Sequence, residues 1–405
     1  MIPFLQSAAL LVIPLLAIIT VIVTVHELGH FLAGRAFGVA IERFSIGFGP
    51  TLAAWRDRSG VEWRIAALPH GGYVRFGLDE KIARVPDHNN LESMRAAIQA
   101  AEGPGAELKY LPFKPIWQRA IISLAGPAAN FILSVVLLSL LFGVLGAPQT
   151  PFKVGVVEAG SPAAWAGFKP GDRIVSANGH PLPGYGELRA YLAYRYNVPM
   201  DFVVRRGAEM LHLEATPRAV SQPSGFGWDQ TVGQLGVGLA ADGEWTRKRL
   251  DPISAIADGA GETWELFNAN VLMLGRLATG QAGLGQLHGV IGMARASGII
   301  TKQAIDAAPG NPADQIAGVI ITLITLAAEF SVGIGIMNLL PLPVLDGGHL
   351  LFYAYEWLAR RPLAASVQAA SYRVGLALLV GLMLFANLHD LPLTRVFHFL
   401  GTLFS

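Results

Sequence analysis

The chain has 405 residues, of which 52% are hydrophobic and 15% are charged, and its formal net charge is +1. Its mean hydropathy of +0.45 is too high for an ordinary soluble protein of this size, so the composition indicates a membrane protein. A nearly neutral chain lacks the concentrated basic face of a nucleic-acid binder, and nucleic acid is excluded as a partner. The sequence contains no cysteine, so any metal must be bound by His, Asp or Glu.

Four long apolar stretches cover residues 7–36, 116–146, 317–341 and 368–389. Each is long enough to cross the ~30 Å hydrocarbon core as a helix, so we predict a polytopic α-helical membrane protein with about four transmembrane helices. Lys and Arg are denser between the first two stretches than in the longer segment between the second and the third. This bias predicts a cytoplasmic first loop, with the N-terminus and the central region outside.

The first apolar stretch contains the ionisable motif HELGH. On a helix, His26 and His30 lie on one face about 5–6 Å apart, close enough to share one metal ion. Glu27 lies beside them, where it can act as a general base toward a water that the metal activates, as in the HExxH arrangement. In the alternative interpretation the histidines bond neighbouring helices and Glu27 pairs with Arg35 or Arg43. A transmembrane location disfavours this alternative, because each unliganded polar group needs its own buried partner.

A catalytic zinc needs a third protein ligand and one open position. The best candidate is Asp346 in the stretch MNLLPLPVLDGGHLLF, where prolines interrupt the helix and glycines allow close backbone approach. Glu329 and His349 are rival candidates. Asn338 precedes Asp346 by eight residues and could donate its amide to a substrate carbonyl or oxyanion. Its alternative role is to bond backbone groups that the prolines leave free.

The stretch VEWRIAALPHGGYVRFGL, residues 61–78, predicts a β-hairpin, because apolar residues alternate with others before a Pro-His-Gly-Gly turn. An exposed hairpin edge can accept a peptide as an added strand, and Gly71, Gly72, Tyr73 and Val74 are the candidate substrate-binding residues. The alternative is a plain cytoplasmic hairpin without substrate contact.

The segment from residue 152 is soluble in character, and short β runs flank the stretch SPAAWAG. Here Ser161 can cap a short helix, Pro162 can take its first position and Gly167 can end it. The segment resembles a PDZ domain, a fold whose groove binds extended peptide ends. The alternative is a PDZ-like spacer. Residues 251–310 show a helical period in places, which predicts amphipathic helices on the outer side.

Several motifs together resemble the site-2 proteases and, within them, the bacterial regulator-of-sigma-E intramembrane metalloproteases. They are HELGH at 26–30, FSIGFGP at 44–50, GGYVRF at 71–76, AGPAANF at 125–131 and NLLPLPVLDGGH at 338–349. The pair of HExxH and LDG motifs on separate spans is the most specific part of this resemblance.

The resemblance implies one Zn²⁺ per chain, bound by His26, His30 and Asp346. It further implies that Glu27 is the catalytic base and that Asn338 lies near the substrate. The hairpin would be a membrane-associated, reentrant β-loop that holds the substrate extended. The implied location is the bacterial inner membrane, with the PDZ domain on the periplasmic side and the active site toward the cytoplasmic side.

The activity implied by the resemblance is that of an intramembrane zinc endopeptidase acting in the lipid bilayer. Its substrates would be transmembrane segments of single-pass proteins, such as anti-sigma factors or remnant signal peptides, and peptide ends could bind the PDZ domain. One rival hypothesis is a non-catalytic PDZ-bearing membrane scaffold with a structural metal site. A second is a metal transporter or sensor, which should carry ionisable residues along several spans.

The predicted organisation has four parts. They are residues 1–150 with the first two transmembrane helices, the HExxH motif and the β-loop at about 61–78; residues 151–220 as the inserted α+β PDZ domain; residues 221–315 as linker and amphipathic helices on the outer side; and residues 316–405 with the last two transmembrane helices and the LDG motif. Residues 219–250 are too few and too rich in glycine for the second PDZ domain of longer members of the family.

Overall fold

The computed structural model describes residues 2–78, 88–149, 152–182, 184–223, 229–241 and 246–391. The chain divides into two compact units. The first, which we call the helical unit, comprises Met1–Leu137 and Leu287–Ser405. The second, the central unit, is Leu138–Gln286.

Within the described residues, the strands lie between residues 41 and 248, and five α-helices follow the last of them. The helices are α1 (Ile2–Ala36), α2 (His88–Glu102), α3 (Ile116–Leu145), α4 (Pro162–Ala166), α5 (Tyr185–Ala193), α6 (Pro252–Ala278), α7 (Val290–Asp306), α8 (Pro312–Leu339), α9 (Asp346–Ala359) and α10 (Ala365–Asp390). The strands are β1 (Ile41–Arg56), β2 (Glu62–Phe76), β3 (Ala147–Gln149), β4 (Phe152–Val157), β5 (Arg173–Ala177), β6 (His180–Pro181), β7 (Met200–Arg206), β8 (Glu209–Ala215), β9 (Arg218–Pro223), β10 (Asp229–Gln234), β11 (Val237–Ala241) and β12 (Thr246–Lys248).

Four helices of the described residues are long and apolar enough to cross a membrane. They are Val12–Ala36 of α1, together with α3, α8 and α10. The four spans predicted from the sequence are thus helices in the structure. The protein is a polytopic α-helical membrane protein that also contains β-strands.

Helices α1 and α8 pack against each other in the helical unit. Ile18 and Ile22 of α1 are buried against Leu326 and Ala327 of α8. Small residues in such an interface let two helices approach closely, and dispersion contacts then stabilise the pair in an apolar solvent. This packing holds the C-terminal half of α8 beside the span that carries HELGH.

Helix α8 ends at Leu339, and α9 begins at Asp346 after the two prolines of the LPLP stretch. The two helix ends lie in direct contact. A side chain built on Gly347 would come within 2.2 Å of the Leu339 carbonyl oxygen, and one on Gly348 within 2.2 Å of the Leu342 carbonyl oxygen. Because no real Cβ tolerates such distances, the two glycines allow the chain to fold back at this point.

The β-structure of the helical unit differs from the hairpin predicted over 61–78. The two halves of that segment are strand, as expected, but they do not pair with each other. Both pair with β1, and Ile46 has partners in both halves of β2, namely Ile65 and Gly72. Alternation of apolar residues predicts a strand but not its partner, so the role of the preceding FSIGFGP segment was missed.

In the central unit, β6, β5, β7 and β8 form an antiparallel sheet in that order, and β11 pairs with β4. Large apolar side chains such as Phe152, Phe202 and Leu188 form its core. The predicted cap of α4 is confirmed, because Ser161 accepts a hydrogen bond from the Ala164 N–H and Gly167 ends the helix in a left-handed conformation.

An ion pair between a partly exposed arginine and a buried aspartate connects β7 to the turn before β5. Arg206 donates from Nε to Asp172 Oδ1 at 2.7 Å, and the Asp172 side chain is fully buried. Burial alone would raise the pKa of Asp172, but hydrogen bonds from Arg206 and from the Lys169 N–H outweigh burial and hold this pKa below its ordinary value. The contact therefore stabilises the central unit at neutral pH and is lost as the pH falls through the pKa of the folded state.

Candidate metal centre

The three predicted ligands converge in the helical unit. The Nε2 atoms of His26 and His30 are 3.1 Å apart. Asp346 Oδ2 lies 3.1 Å from His26 Nε2 and 3.4 Å from His30 Nε2, and the three side chains are 9%, 12% and 18% exposed. Residues 320 positions apart in the sequence thus form one cluster of two imidazole nitrogens and one carboxylate oxygen.

The geometry of this cluster fits zinc. Zinc binds histidine nitrogen and carboxylate oxygen at about 2.0–2.1 Å in a tetrahedral arrangement, which requires ligand atoms about 3.3–3.4 Å apart. The three separations in this cluster are 3.1, 3.1 and 3.4 Å. Three protein ligands also leave a fourth position open, as in catalytic rather than structural zinc sites.

The rival third ligands lie elsewhere. Within the described residues, the group of side chains that can hold a metal consists of His26, His30 and Asp346. Glu329 lies on an exposed position of α8. His349 packs on Tyr372 and Tyr353, with ring centroids 6.0 and 6.3 Å away. Asp346 as third ligand is therefore the assignment that the geometry supports.

Helix α3 forms the wall behind the two histidines. His30 Nδ1 lies 2.7 Å from the Ile122 carbonyl oxygen, and since a carbonyl can only accept, His30 carries its proton on Nδ1. Its Nε2 therefore presents a lone pair toward Asp346. A fixed tautomer of this kind is typical of metal-binding histidines.

Gly126 of α3 lies directly against both imidazole rings. A Cβ at this position would come within 2.3 Å of His30 Nε2 and 2.8 Å of His26 Cε1. We expect Gly126→Ala to displace the rings and weaken zinc binding by about 10- to 100-fold, the range seen when the support of a metal ligand is lost. Chelator competition measures this change. Gly143→Ala on the same helix is the control, because its Cβ would make an ordinary 3.7 Å contact and zinc affinity should stay unchanged.

Glu27 is held by a strand. Its Oε2 accepts a hydrogen bond from the Val74 N–H of β2 at 3.1 Å. The same strand approaches α1 at Gly72, where a Cβ would lie 3.8 Å from Glu27 Cγ. The carboxylate beside the ligand cluster is therefore positioned by the strand that the sequence marked as a candidate substrate site.

The other predicted site residues lie at the end of α8 and on β2. Asn338 is half-buried in the last turn of α8, which abuts the start of α9. Gly71 and Gly72 are buried against β1, because their Cβ atoms would clash with Phe48 and with the Ser45 carbonyl oxygen at 2.5 and 2.7 Å. Tyr73 stacks on Phe48 at 5.9 Å.

Sequence reasoning missed the contribution of α3. The motif AGPAANF supplies Gly126 behind the histidine rings and Asn130, whose Nδ2 lies 3.3 Å from His26 Nδ1. The available signal was an asparagine inside an apolar span, at a spacing of four from a glycine. Such residues mark helix contacts and polar partners in membranes.

Comparison with known proteins agrees with this geometry. The family model for peptidase family M50 matches residues 14–382. The metalloprotease MmpA of Caulobacter vibrioides is 48% identical, and the match covers 98% of this chain and 99% of that protein. A protein of Agrobacterium fabrum that is named as a zinc metalloprotease is 36% identical, covering 94% of this chain and 95% of that protein.

A third relative is also named as a protease. The regulator of sigma-E protease RseP of Salmonella typhimurium is 32% identical, covering 91% of this chain and 96% of that protein. These matches set aside the scaffold and transporter hypotheses. The chain belongs to peptidase family M50, the site-2 proteases, and is a zinc metalloprotease.

Proposed function

We propose that this zinc metalloprotease cleaves the transmembrane segments of single-pass membrane proteins within the bacterial inner membrane. The observation that carries the proposal is the ligand cluster formed by a helix that can span a membrane and by Asp346. A site at membrane depth matches a substrate that is itself embedded in the bilayer. Anti-sigma factors and remnant signal peptides are the proposed substrate classes.

The proposed roles follow the geometry. His26, His30 and Asp346 would hold the zinc, which when bound polarises a carbonyl and makes water easier to deprotonate. Glu27 accepts the proton of the attacking water and returns it to the leaving amine. Asn338, in the last turn of α8, donates its amide to the carbonyl oxygen of the bond that is cut.

A helical substrate must be extended before it can be cut, because its backbone groups are paired within the helix. We propose that β2 receives it. Within the described residues, Gly72–Phe76 has its strand partner in one segment, the start of β1. A peptide added along the opposite edge would run past Glu27, which the Val74 N–H already contacts at 3.1 Å. The proposed substrate-binding residues are Gly71, Gly72, Tyr73 and Val74.

The central unit contains the segment 151–220 that we propose as a PDZ domain for peptide ends. Its antiparallel sheet, the short capped helix α4 and helix α5 support this assignment. We propose that the other parts of the chain are residues 1–150, 221–315 and 316–405. The basic first loop supports a cytoplasmic active site and a periplasmic central region.

The proposed orientation can be mapped because the chain has no cysteine. Single cysteines are introduced at the exposed positions Arg58 and Glu209 and labelled with a membrane-impermeant maleimide on intact spheroplasts. Glu209→Cys should react with the reagent on intact spheroplasts. Arg58→Cys should react only after the spheroplasts are lysed. The reverse pattern would overturn the orientation.

The cleavage proposal is tested with the full chain in detergent and a tagged single-pass substrate. The protein is assayed as purified, after a zinc chelator, and after zinc is restored. We expect a product that requires zinc and a cut, located by mass spectrometry, inside the apolar segment. A matched substrate whose apolar segment is replaced by a polar one is the control. Cleavage confined to soluble segments would overturn the intramembrane assignment.

A further inference from the structure

Asn130 lies where three helices of the helical unit meet. It is on α3, four residues after Gly126, and it is fully buried. Its backbone carbonyl accepts a hydrogen bond of 2.8 Å from Ser331 of α8, and a Cβ on Gly335 would lie 3.4 Å from its own Cβ. Its side chain reaches toward α1, with Nδ2 at 3.3 Å from His26 Nδ1. A polar side chain buried this deeply in an apolar span requires a polar partner, and for Asn130 the partner is a proposed zinc ligand.

The two ring nitrogens of His26 face different groups. Nδ1 faces the amide of Asn130, and Nε2 faces Asp346 Oδ2 at 3.1 Å. In a neutral imidazole one nitrogen carries the proton and the other a lone pair, so the group at Nδ1 decides what Nε2 can do. In His30 the backbone carbonyl of Ile122 determines which ring nitrogen carries the proton. In His26 the side-chain amide of Asn130 determines it.

An amide can make either choice, because its two ends are an acceptor and a donor of nearly equal shape. With the amide nitrogen toward Nδ1, the His26 proton lies on Nε2 and is donated to Asp346. That tautomer cannot bind a metal through Nε2. With the amide oxygen toward Nδ1, the proton lies on Nδ1 and Nε2 presents its lone pair. Asn130 Oδ1 is buried and has no hydrogen-bond partner among the described residues, so its acceptor capacity is available for this role.

We propose that Asn130 is a positioning residue for zinc, whose side-chain oxygen accepts the Nδ1–H of His26 and so selects the tautomer that binds the metal. The imidazole stays neutral in both arrangements, and a half-turn of the amide exchanges them. Support of this kind by an outer group orients a metal-binding histidine and raises its basicity. The inference rests on the proposal that His26 is a zinc ligand. It assigns to α3 a side chain, Asn130, that supports this ligand.

The test measures zinc affinity by chelator competition on the full chain in detergent. Asn130→Leu keeps the shape but removes the acceptor, and we expect about 10- to 100-fold weaker zinc binding. Asn130→Asp keeps an acceptor at the same position, and we expect affinity within about threefold of the wild type, well inside the range that loss of such support spans. Ser331→Ala is the matched control. It removes a hydrogen bond to the backbone carbonyl of Asn130 at the same buried helix crossing but leaves the Asn130 side-chain amide in place.

Two further measurements separate tautomer selection from a structural role. Thermal unfolding in excess chelator should be similar for all three variants. The absorption bands of the Co²⁺-substituted protein should shift in Asn130→Leu and be retained in Asn130→Asp. If Asn130→Leu loses the fold, Asn130→Ala takes its place with the same expectation.

Unchanged zinc affinity in the apolar variant would overturn the proposal. So would an equal loss in Asn130→Asp and Asn130→Leu when both remain folded, since the amide would then act as a donor or as packing. The assay needs no substrate, so failure of the cleavage proposal would leave this result readable. Absence of zinc binding in the wild type would instead refute the assignment of His26 as a ligand.

Discussion

Glu27→Gln is expected to lower the rate of substrate cleavage by about 10²- to 10⁴-fold, the range that a general base contributes. The amide has the shape of the carboxylate but cannot accept a proton from water at neutral pH. Its oxygen can still accept the Val74 N–H, which the carboxylate receives at 3.1 Å, so the contact between α1 and β2 should persist. The rate is measured by single-turnover cleavage of the tagged single-pass substrate.

Two controls make this result specific. The zinc content of Glu27→Gln should remain one per chain, because Glu27 is not among the three clustered ligands. Glu42→Gln, at an exposed carboxylate of β1, should cleave at the wild-type rate. Full activity of Glu27→Gln with normal zinc content would refute its role as the base.

Asp346→Asn is expected to abolish stable zinc binding and cleavage together. An amide oxygen is a weaker ligand than a carboxylate, and two histidines alone do not hold catalytic zinc. We expect the affinity to fall by more than the roughly 10- to 100-fold that loss of an outer partner costs. Zinc content by mass spectrometry after dialysis and chelator competition measure the change.

The rival carboxylate provides the matched control for this prediction. Glu329→Gln changes an acidic side chain on α8, the helix that leads to Asp346, and should leave zinc content unchanged. If Glu329→Gln lost zinc while Asp346→Asn kept it, the third ligand would be Glu329 and the assignment from the cluster would be wrong.

How much could be predicted differs between parts of the site. The four spans and the shared face of His26 and His30 follow from local rules, since span length and helical spacing depend on neighbouring residues. Asp346 could be chosen because prolines and glycines mark a break in an apolar run. The geometry then brought it within 3.4 Å of both histidines.

The β-structure shows where local rules stop. Alternation over 61–67 predicted a strand that the structure contains, but the partner turned out to be β1 rather than the second half of the same segment. Strand pairing depends on register between distant residues, which a period of two does not encode. The contact from Val74 to Glu27 was likewise not visible in the sequence, because a backbone N–H carries no residue signature.

The sequence by itself determined the membrane character, the spans, the capped helix α4 and the residue types of the metal cluster, because apolar length, capping and helical spacing are properties of contiguous residues. The tertiary structure alone decided that Gly126, Ile122 and Asn130 of α3 stand behind the two histidines and that β2 holds Glu27. These contacts join residues that are 47 to 104 positions apart in the sequence, so they depend on how the helices cross and how the strand packs against α1. The close packing of the α3 backbone against the histidine rings of α1 depends on the fold as a whole. It cannot be predicted from a single sequence.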